Sequence, residues 1–274
     1  MIFGRKSRIQ IKTAEQLLLM RAAGLVVART LKQLENEVAP GMTTLDIDAI
    51  ARENLKREGA TPSFLGYHGY PSVVCTSVNE EVVHGMPSDR KLNEGDIVSV
   101  DFGAIVEGWH GDAARTIFVG EVSQESRDLS DVTERSMWAG LAAAVVGNHL
   151  SDIGHAIETV VRAEDRWGIV EEYVGHGIGT EMHMDPSVPN YGKPGHGPIL
   201  EAGMALAIEP MITAGYRYVQ VLDDDWTVTT TDGGWASHWE NTVAITDLGP
   251  WVMTELDGGV ARLRAMGLTV PDRD

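Results

Sequence analysis

The feature that most constrains this chain is an aspartate inside an apolar run that is typical of a buried strand. In VSVDFGAIVEGWHGDAART, residues 98–116, Asp101 interrupts the apolar run and Asp112 follows a segment with the pattern of a turn. Burying an unpaired carboxylate costs several kcal/mol even after relaxation, which is more than one hydrogen bond returns. Either the strand is exposed on that side, or Asp101 has a partner of opposite charge.

Two further acids occupy similar apolar settings. Glu209 lies in MALAIEPMI, and Glu240 opens the strand pattern WENTVAIT. If the hairpin turn is centred between Val106 and Glu107, the two aspartates face each other across the strands with Cβ atoms about 5 Å apart. Such like-charge pairing is destabilising unless a cation lies between them, although a solvated acid on an exposed sheet face is the alternative for each residue alone.

A histidine between glycines completes a set of metal-ligand types. His176 lies in EEYVGHGIGTEMHMDP, whose glycines permit close backbone approach but match no phosphate-binding loop. Four carboxylates with one imidazole suit two Mn, Fe, Co or Zn ions, which also balance the charge. Two such ions about 3.5–4 Å apart can polarise a carbonyl and activate water. A structural histidine is the alternative for His176. The residues predict a metal site formed by Asp101, Asp112, His176, Glu209 and Glu240.

The chain has the same predicted order of elements twice, two helices followed by strands. In the first half, apolar periodicity predicts helices over 13–37 and 43–59. Thr43 is the expected N-cap of the second helix, with Asp46 three residues on and Gly59 at its end.

The second half repeats this order. Helix patterns cover 124–147 and 151–168, the latter with Ser151 as the expected cap and Gly168 as its end. The segment 184–203 has the composition of a surface loop. The strand candidates are 171–176, 204–213, 216–222 and 238–246.

A short sequence echo accompanies the repeat. Gly41 and Gly147 are each followed five residues later by Asp-Ile. No low-complexity linker separates the halves, so we expect one catalytic domain over 1–274. Its parts are a basic N-terminal segment (1–12), a first half (13–122), a second half (123–254) and a C-terminal tail (255–274).

Charge and cysteine content exclude several classes of protein. The formal net charge of −18 argues against nucleic acid as a partner, because phosphate binding needs basic surface. The single cysteine, Cys75, rules out an internal disulfide and fits a reducing compartment. The segment MIFGRKSRIQIK lacks the apolar region of a signal peptide, and no apolar run reaches about 20 residues. A cytoplasmic protein without DNA or membrane partners is expected.

Over about residues 13–254, the sequence resembles type I methionine aminopeptidases. The spacing of Asp101 and Asp112, followed in order by His176, Glu209 and Glu240, is more specific than any single segment. The resemblance implies a pita-bread fold of class α+β, with a curved antiparallel sheet, outer helices and halves related by a pseudo-two-fold axis. The matching segments are TPSFLGYHGYP, SVNEEVVHG, DIVSVDFGA, GWHGDAART, YVGHGIG, LAIEPM and HWENT.

The resemblance also implies roles for single residues. Asp101 would bind one ion, and Asp112 with Glu240 would bridge two. His176 and Glu209 would hold the second ion, and Glu209 would also act as acid or base.

Two other histidines, His84 and His183, would contact the scissile peptide as catalytic groups. Met182 stands where an aromatic residue is commoner, and His238 replaces a more usual glutamine. Aromatic residues of such a pocket can equally be core or loop anchors. The substrate-binding residues implied are Phe64, Tyr67, Tyr70, Cys75, His84, Met182, His183 and Trp226.

The implied reaction is removal of the N-terminal methionine from nascent proteins whose second residue is small, assisted by two divalent ions (Co, Mn, Fe or Zn). A monomer is expected, without the long N-terminal domain of proline dipeptidases. The basic residues that would contact the ribosome exit region are Arg5, Lys6, Arg8 and Lys12.

Two alternatives stay open. One is a proline-directed aminopeptidase or dipeptidase of the same fold, against which the aromatic-rich GYHGYP argues. The other is a non-catalytic peptide-binding protein of this fold, which would be expected to lack some of the five ligands.

Overall fold

A computed structural model describes residues 9–272, which form five α-helices and fifteen strands. Arg5, Lys6 and Arg8 lie outside the described residues. Lys12 is buried, so it does not belong to an exposed basic cluster. None of the described helices has the length and apolar character needed to cross a bilayer. The helices are α1 (Ala14–Glu37), α2 (Thr44–Glu58), α3 (Gln124–Ala143), α4 (Leu150–Arg162) and α5 (Val260–Ala265), with a 3₁₀ turn at Tyr67–Gly69.

The strands form four sheets, and every recorded pairing is antiparallel. They are β1 (Thr61–Pro62), β2 (Val74–Val78), β3 (Glu81–Val83), β4 (Ile97–Val106), β5 (Trp109–Phe118), β6 (Gly168–Ile169), β7 (Gly175–Gly177), β8 (Met184–Val188), β9 (Ala205–Ile208), β10 (Met211–Thr213), β11 (Val219–Val221), β12 (Val228–Thr230), β13 (Ala236–His238), β14 (Asn241–Thr246) and β15 (Gly249–Val252). The two larger sheets are β1-β4-β2 with β5 on β4, and β15-β14-β9-β7-β8. The smaller sheets are β13-β10-β6 and β11-β12-β3.

The helix starts predicted in the first half are confirmed. The Thr13 side chain accepts from the backbone of Gln16, and Thr43 forms the same capping box with Asp46. Gly59 ends α2 in the left-handed region, with φ of 67°. The apolar faces of α1 and α2 then bury Leu31, Leu34 and Ile47 with Phe102 of β4, forming the core of this half.

The cap predicted at Ser151 is wrong. His149 is the N-cap of α4, and its backbone N–H donates to the Asp152 carboxylate over 2.7 Å. The helix ends at Arg162 rather than at Gly168, which belongs to β6.

The Asp-Ile echo marks the same helix start in both halves. Gly41 and Gly147 both have φ of 92°, and in each half the N-cap follows two residues later. Thr43 and His149 then form equivalent isolated bridges, to Lys91 and to Ile199.

Two segments of the second half are more ordered than their composition predicts. The loop expected over 184–203 begins with β8, which pairs with β7 and buries Val188. The expected tail, 255–274, contains α5, and Leu263 and Val270 join the core of the second half.

Helix α1 joins the two halves. It packs on β4 and β5, while Arg21 is buried and donates to the carbonyl oxygens of Met253 and Leu256 over 2.7 and 2.9 Å. A Cβ at Gly24 would lie 2.2 Å from the Met253 oxygen, so only glycine permits this approach.

Candidate metal centre and active site

The β4–β5 hairpin places two aspartates on one face, in a different register from that predicted. The turn lies at 107–108, where both residues have positive φ (49° and 81°), as a two-residue hairpin turn requires. Asp101 therefore pairs with Ala114, and Asp112 with Gly103. The direct pairing of the aspartates is wrong, but the shift preserves side-chain parity, so they remain diagonal neighbours on the same face.

The other three candidate ligands, one histidine and two glutamates, lie where strands are irregular or end. His176 is in β7 at a register shift between it and Gly177. Glu209 follows β9, and Glu240 precedes β14. The predicted strands over 204–213 and 238–246 are each interrupted at these glutamates, which frees their side chains to enter the cavity instead of a sheet face.

One cavity of about 140 Å³ brings together every residue that the sequence predicted for the site. It lies where the two larger sheets meet. Its lining residues are Phe64, Tyr67, Tyr70, Cys75, His84, Asp101, Asp112, His176, Met182, His183, Glu209, Trp226 and Glu240.

The acidic end of this cavity has the donor set of a cation site. Ligand atoms of Asp112, His176 and Glu240 lie within 4.8 Å of one another, and all three residues are buried. Among the described residues, no hydrogen-bond partner reaches Asp101 Oδ1, Asp112 Oδ1 or Glu240 Oε1, although each atom is buried. Buried carboxylate oxygens without donors are costly, and divalent cations are the partners that would satisfy them. The residues therefore fit divalent ions.

Burial dominates the electrostatics of this end. It raises the pKa of all four carboxyls, and neighbouring acids raise the pKa further at Asp101, Glu209 and Glu240. Burial, aided by His183, lowers the pKa of His176 to about 3, so its ring is neutral at pH 7. A cluster of acids whose charged forms are disfavoured, beside a neutral imidazole, is the environment that a bound cation stabilises.

Glu209 lies between two imidazoles. Its Oε1 is 3.4 Å from His176 Nε2, and its Oε2 is 3.6 Å from His238 Nε2. Donor atoms of Glu209, His238 and Glu240 form a second group within 4.8 Å. The sequence singled out His238 as a replacement for a more usual glutamine or uncharged residue and did not predict it as a ligand, and the structure places it against a candidate ligand.

Sequence reasoning missed the residues that hold Glu240. Glu240 and Ala114 exchange backbone hydrogen bonds of 3.0 and 3.3 Å, which join the two larger sheets. The buried Arg115 donates to the Glu240 carbonyl oxygen over 2.7 Å and to the Glu255 carboxylate over 2.6 Å. Thr242 bonds both backbone groups of Asp112. The available signal was an arginine inside the strand pattern AARTIFV.

The opposite end of the cavity is apolar. Phe64, Cys75 and Met182 are buried there together with Tyr70, whose hydroxyl donates to the carbonyl oxygens of Val74 and Gly85 over 3.0 and 3.1 Å. The rings of Tyr70 and Trp226 pack edge to face, with centroids 5.0 Å apart. This end suits an apolar side chain.

Two histidines lie between the apolar and acidic ends. His183 Nδ1 is 2.8 Å from the Tyr67 hydroxyl, and its ring lies 4.3 Å from that of His176. His84 has φ of 60°, and burial lowers its pKa to about 4. Both rings are therefore placed, in neutral form, beside the junction of the two ends.

The sequence profile of metallopeptidase family M24 matches residues 18–247 of the chain. The chain is 54% identical to methionine aminopeptidase 1 of Mycobacterium tuberculosis, over 89% of its own length and 94% of the relative. It is 53% identical to a methionine aminopeptidase of Clostridium acetobutylicum, over 90% and 98% of the two lengths. The crystal structure of methionine aminopeptidase from Thermotoga maritima superposes with a TM-score of 0.88 at 42% identity, covering 90% of this chain and 99% of that one. The expected pita-bread fold is confirmed by this match.

Proposed function

The chain belongs to metallopeptidase family M24 and is a hydrolase, and we propose that it removes the N-terminal methionine from nascent proteins whose second residue is small. One observation carries the proposal: a single cavity joins an acidic end, which has the donor set of a cation site, to an apolar end, with two histidines between them. Relatives named methionine aminopeptidase match at up to 54% identity over nearly their full length, which favours methionine removal over a proline-directed reaction. A complete ligand set argues against a non-catalytic role.

Five residues would hold two divalent ions: Asp101, Asp112, His176, Glu209 and Glu240. Carboxylates with one imidazole suit Co, Mn, Fe or Zn. When bound, such ions activate water and polarise the carbonyl of the first peptide bond.

The side chains of this chain move the protons. Glu209 accepts a proton as water attacks the carbonyl carbon, and delivers it to the leaving amine. With 13% of its side chain exposed, Glu209 is more accessible than the buried Glu240, the other glutamate of the acidic end. His84 and His183 donate hydrogen bonds to the peptide as negative charge develops on its oxygen. Tyr67 fixes the ring of His183 through the 2.8 Å contact.

The apolar end selects the side chain that is removed. Tyr70 and Trp226 form a rigid wall, and Met182 adds a flexible thioether that adapts to an unbranched substrate side chain. Contact with the ribosome exit region and a monomeric state remain predictions of the sequence.

The test uses chelator-treated protein to which Mn, Co, Fe or Zn is added back separately. Each form receives Met-Ala-Ser, Leu-Ala-Ser and Ala-Pro peptides, and the released amino acid is quantified. We expect metal-dependent release of methionine from Met-Ala-Ser alone. Cleavage of Ala-Pro instead would move the function to the proline-directed alternative, and no cleavage by a form that binds metal would favour peptide binding without catalysis.

A further inference from the structure

The two imidazoles beside Glu209 differ in what lies behind them. His176 Nδ1 is 3.0 Å from the carbonyl oxygen of Gly177. A carbonyl oxygen only accepts, so Nδ1 carries the hydrogen, and Nε2 of the neutral ring presents a lone pair. His176 therefore cannot donate to Glu209, and these two acceptors face each other across a position that a cation would fill.

His238 has the opposite arrangement. Its backbone is fixed by Ser99 and Thr116, whose hydroxyl oxygens accept from its N–H over 3.2 and 3.1 Å. Its Nε2 is buried and, among the described residues, has no hydrogen-bond partner at normal distance, yet it points at Oε2 of Glu209. With a cation bound, the Glu209 carboxylate is ionised and can only accept, so the imidazole that faces it must then present an N–H.

From these contacts we propose that His238 is a positioning residue: its Nε2–H donates to Oε2 of Glu209 and thereby turns Oε1 toward His176. The proposal rests on the proposed function of this cavity. The present separation of 3.6 Å exceeds a hydrogen bond by a few tenths of an ångström. Glu209 closes the gap by a small rotation, because its side chain is 13% exposed and that of His238 only 2%.

The alternative is that His238 is itself a cation ligand, since donor atoms of Glu209, His238 and Glu240 lie within 4.8 Å. A ligating histidine almost always donates its second N–H to an acceptor. Gly177 provides that acceptor for His176. The hydrogen bonds of His238 among the described residues involve its backbone N–H and its carbonyl oxygen, and none involves its ring. The arrangement favours His238 as the donor to Glu209.

The experiment compares metal binding by four proteins, independently of hydrolysis. His238→Gln retains an N–H donor, His238→Leu removes it at similar volume, and His196→Gln is the control in an exposed loop. Metal-free samples are titrated with Mn²⁺ by calorimetry and with Co²⁺ by visible absorption, which reports the ligands of the ion.

We expect the wild type, His238→Gln and His196→Gln to bind alike, with the same Co²⁺ spectrum. In His238→Leu one binding step should weaken by about 10–100-fold, as for other residues that orient a metal ligand. Wild-type affinity in His238→Leu would overturn the proposal. A weakened His238→Gln with a changed Co²⁺ spectrum would also overturn it, because the imidazole would then be a ligand.

Folding of each variant is checked by near-ultraviolet circular dichroism. If His238→Leu does not fold, His238→Asn takes its place, because its shorter amide cannot reach Glu209 and should weaken binding in the same way. Asparagine binding like wild type would refute the proposal. A wild type that binds neither ion would overturn the proposed function itself, which distinguishes that failure from a failure of His238 alone.

Discussion

The two halves of the molecule begin with equivalent helix starts but present their candidate ligands in different ways. In the first half, Asp101 and Asp112 lie inside one continuous hairpin of two ten-residue strands, so strand register determines their spacing. In the second half, His176, Glu209 and Glu240 lie at a bulge or at strand ends. Positions outside a ladder need support from elsewhere in the chain.

For Glu240, that support comes from the first half. Ala114 and Arg115 of β5 hold the backbone of Glu240, while Thr242 of β14 in turn holds Asp112. The comparison indicates that the β4–β5 hairpin is a frame, in which backbone pairing alone places Asp101 and Asp112. Glu240 of the second half is placed only when the two sheets meet.

The largest effect is expected from Asp112→Asn, which changes a ligand within the frame. Hydrolysis of Met-Ala-Ser should fall by about 10³-fold or more, because a carboxylate that is proposed to bridge two ions loses its charge. The thermal midpoint of the metal-free variant should not fall, since the register is backbone-determined and a buried like charge is removed. Peptide assays and thermal melts measure the two effects. Near wild-type activity would contradict the two-ion assignment.

Arg115→Met tests whether the second half depends on the frame. The change leaves the Glu240 carbonyl with one donor and Glu255 without its cationic partner, so the free energy of unfolding should fall by about 3 kcal/mol in urea titrations. Arg127→Met is the control, since that exposed arginine pairs with Glu121 at the surface and should cost under about 0.5 kcal/mol. Equal losses of unfolding free energy in both variants would show that the second half does not depend on the hairpin of the first half.

A smaller, pH-dependent effect is expected from His84 in the first half. Its pKa is lowered from 6.5 to about 4 by burial, so between these values the unfolded chain binds a proton that the folded protein does not. Stability therefore falls as the pH drops from 6.5 to 4, by about 2 kcal/mol from this residue after allowance for partial exposure.

The measurement is urea unfolding of metal-free wild type and His84→Gln at a series of pH values. The variant should lose that part of the acid destabilisation and keep the part due to His176 and His238, whose pKa values burial lowers to about 3. Superimposable pH profiles would show that His84 titrates normally in the folded protein.

The smallest effects compare the equivalent helix starts directly. Asp46→Ala and Asp152→Ala each remove the carboxylate that accepts from the N-cap backbone, so each should lower the free energy of unfolding. Asp152 also accepts from Gly195 over 2.7 Å, so its loss should be the larger by chemical denaturation. A larger loss at Asp46 would contradict a stabilising role for the contact between Asp152 and Gly195.

The sequence could supply the chemical identity of the site because carboxylates in apolar strands are conspicuous. It could not supply the hairpin register, since moving the centre of the turn by one residue shifts each pairing by two and leaves the same face apolar. The glycine at position 108 was the available signal. The cap at His149 was missed because histidine is not a usual N-cap residue. The capping hydrogen bond runs from the backbone N–H of His149 to the Asp152 carboxylate. Arg115 acts across 125 positions of the chain, a separation that local patterns do not encode.

Helix α1 has a mechanical consequence. With Arg21 bonded to carbonyl oxygens of the C-terminal region and Gly24 in contact with Met253, the helix acts as a brace across the seam between the halves. Separating the two halves would break the buried hydrogen bonds of Arg21 and unpack the core at the same time. We therefore expect a peptide to enter past the side chains at the cavity mouth, without separation of the halves. Thermal unfolding should occur in a single transition.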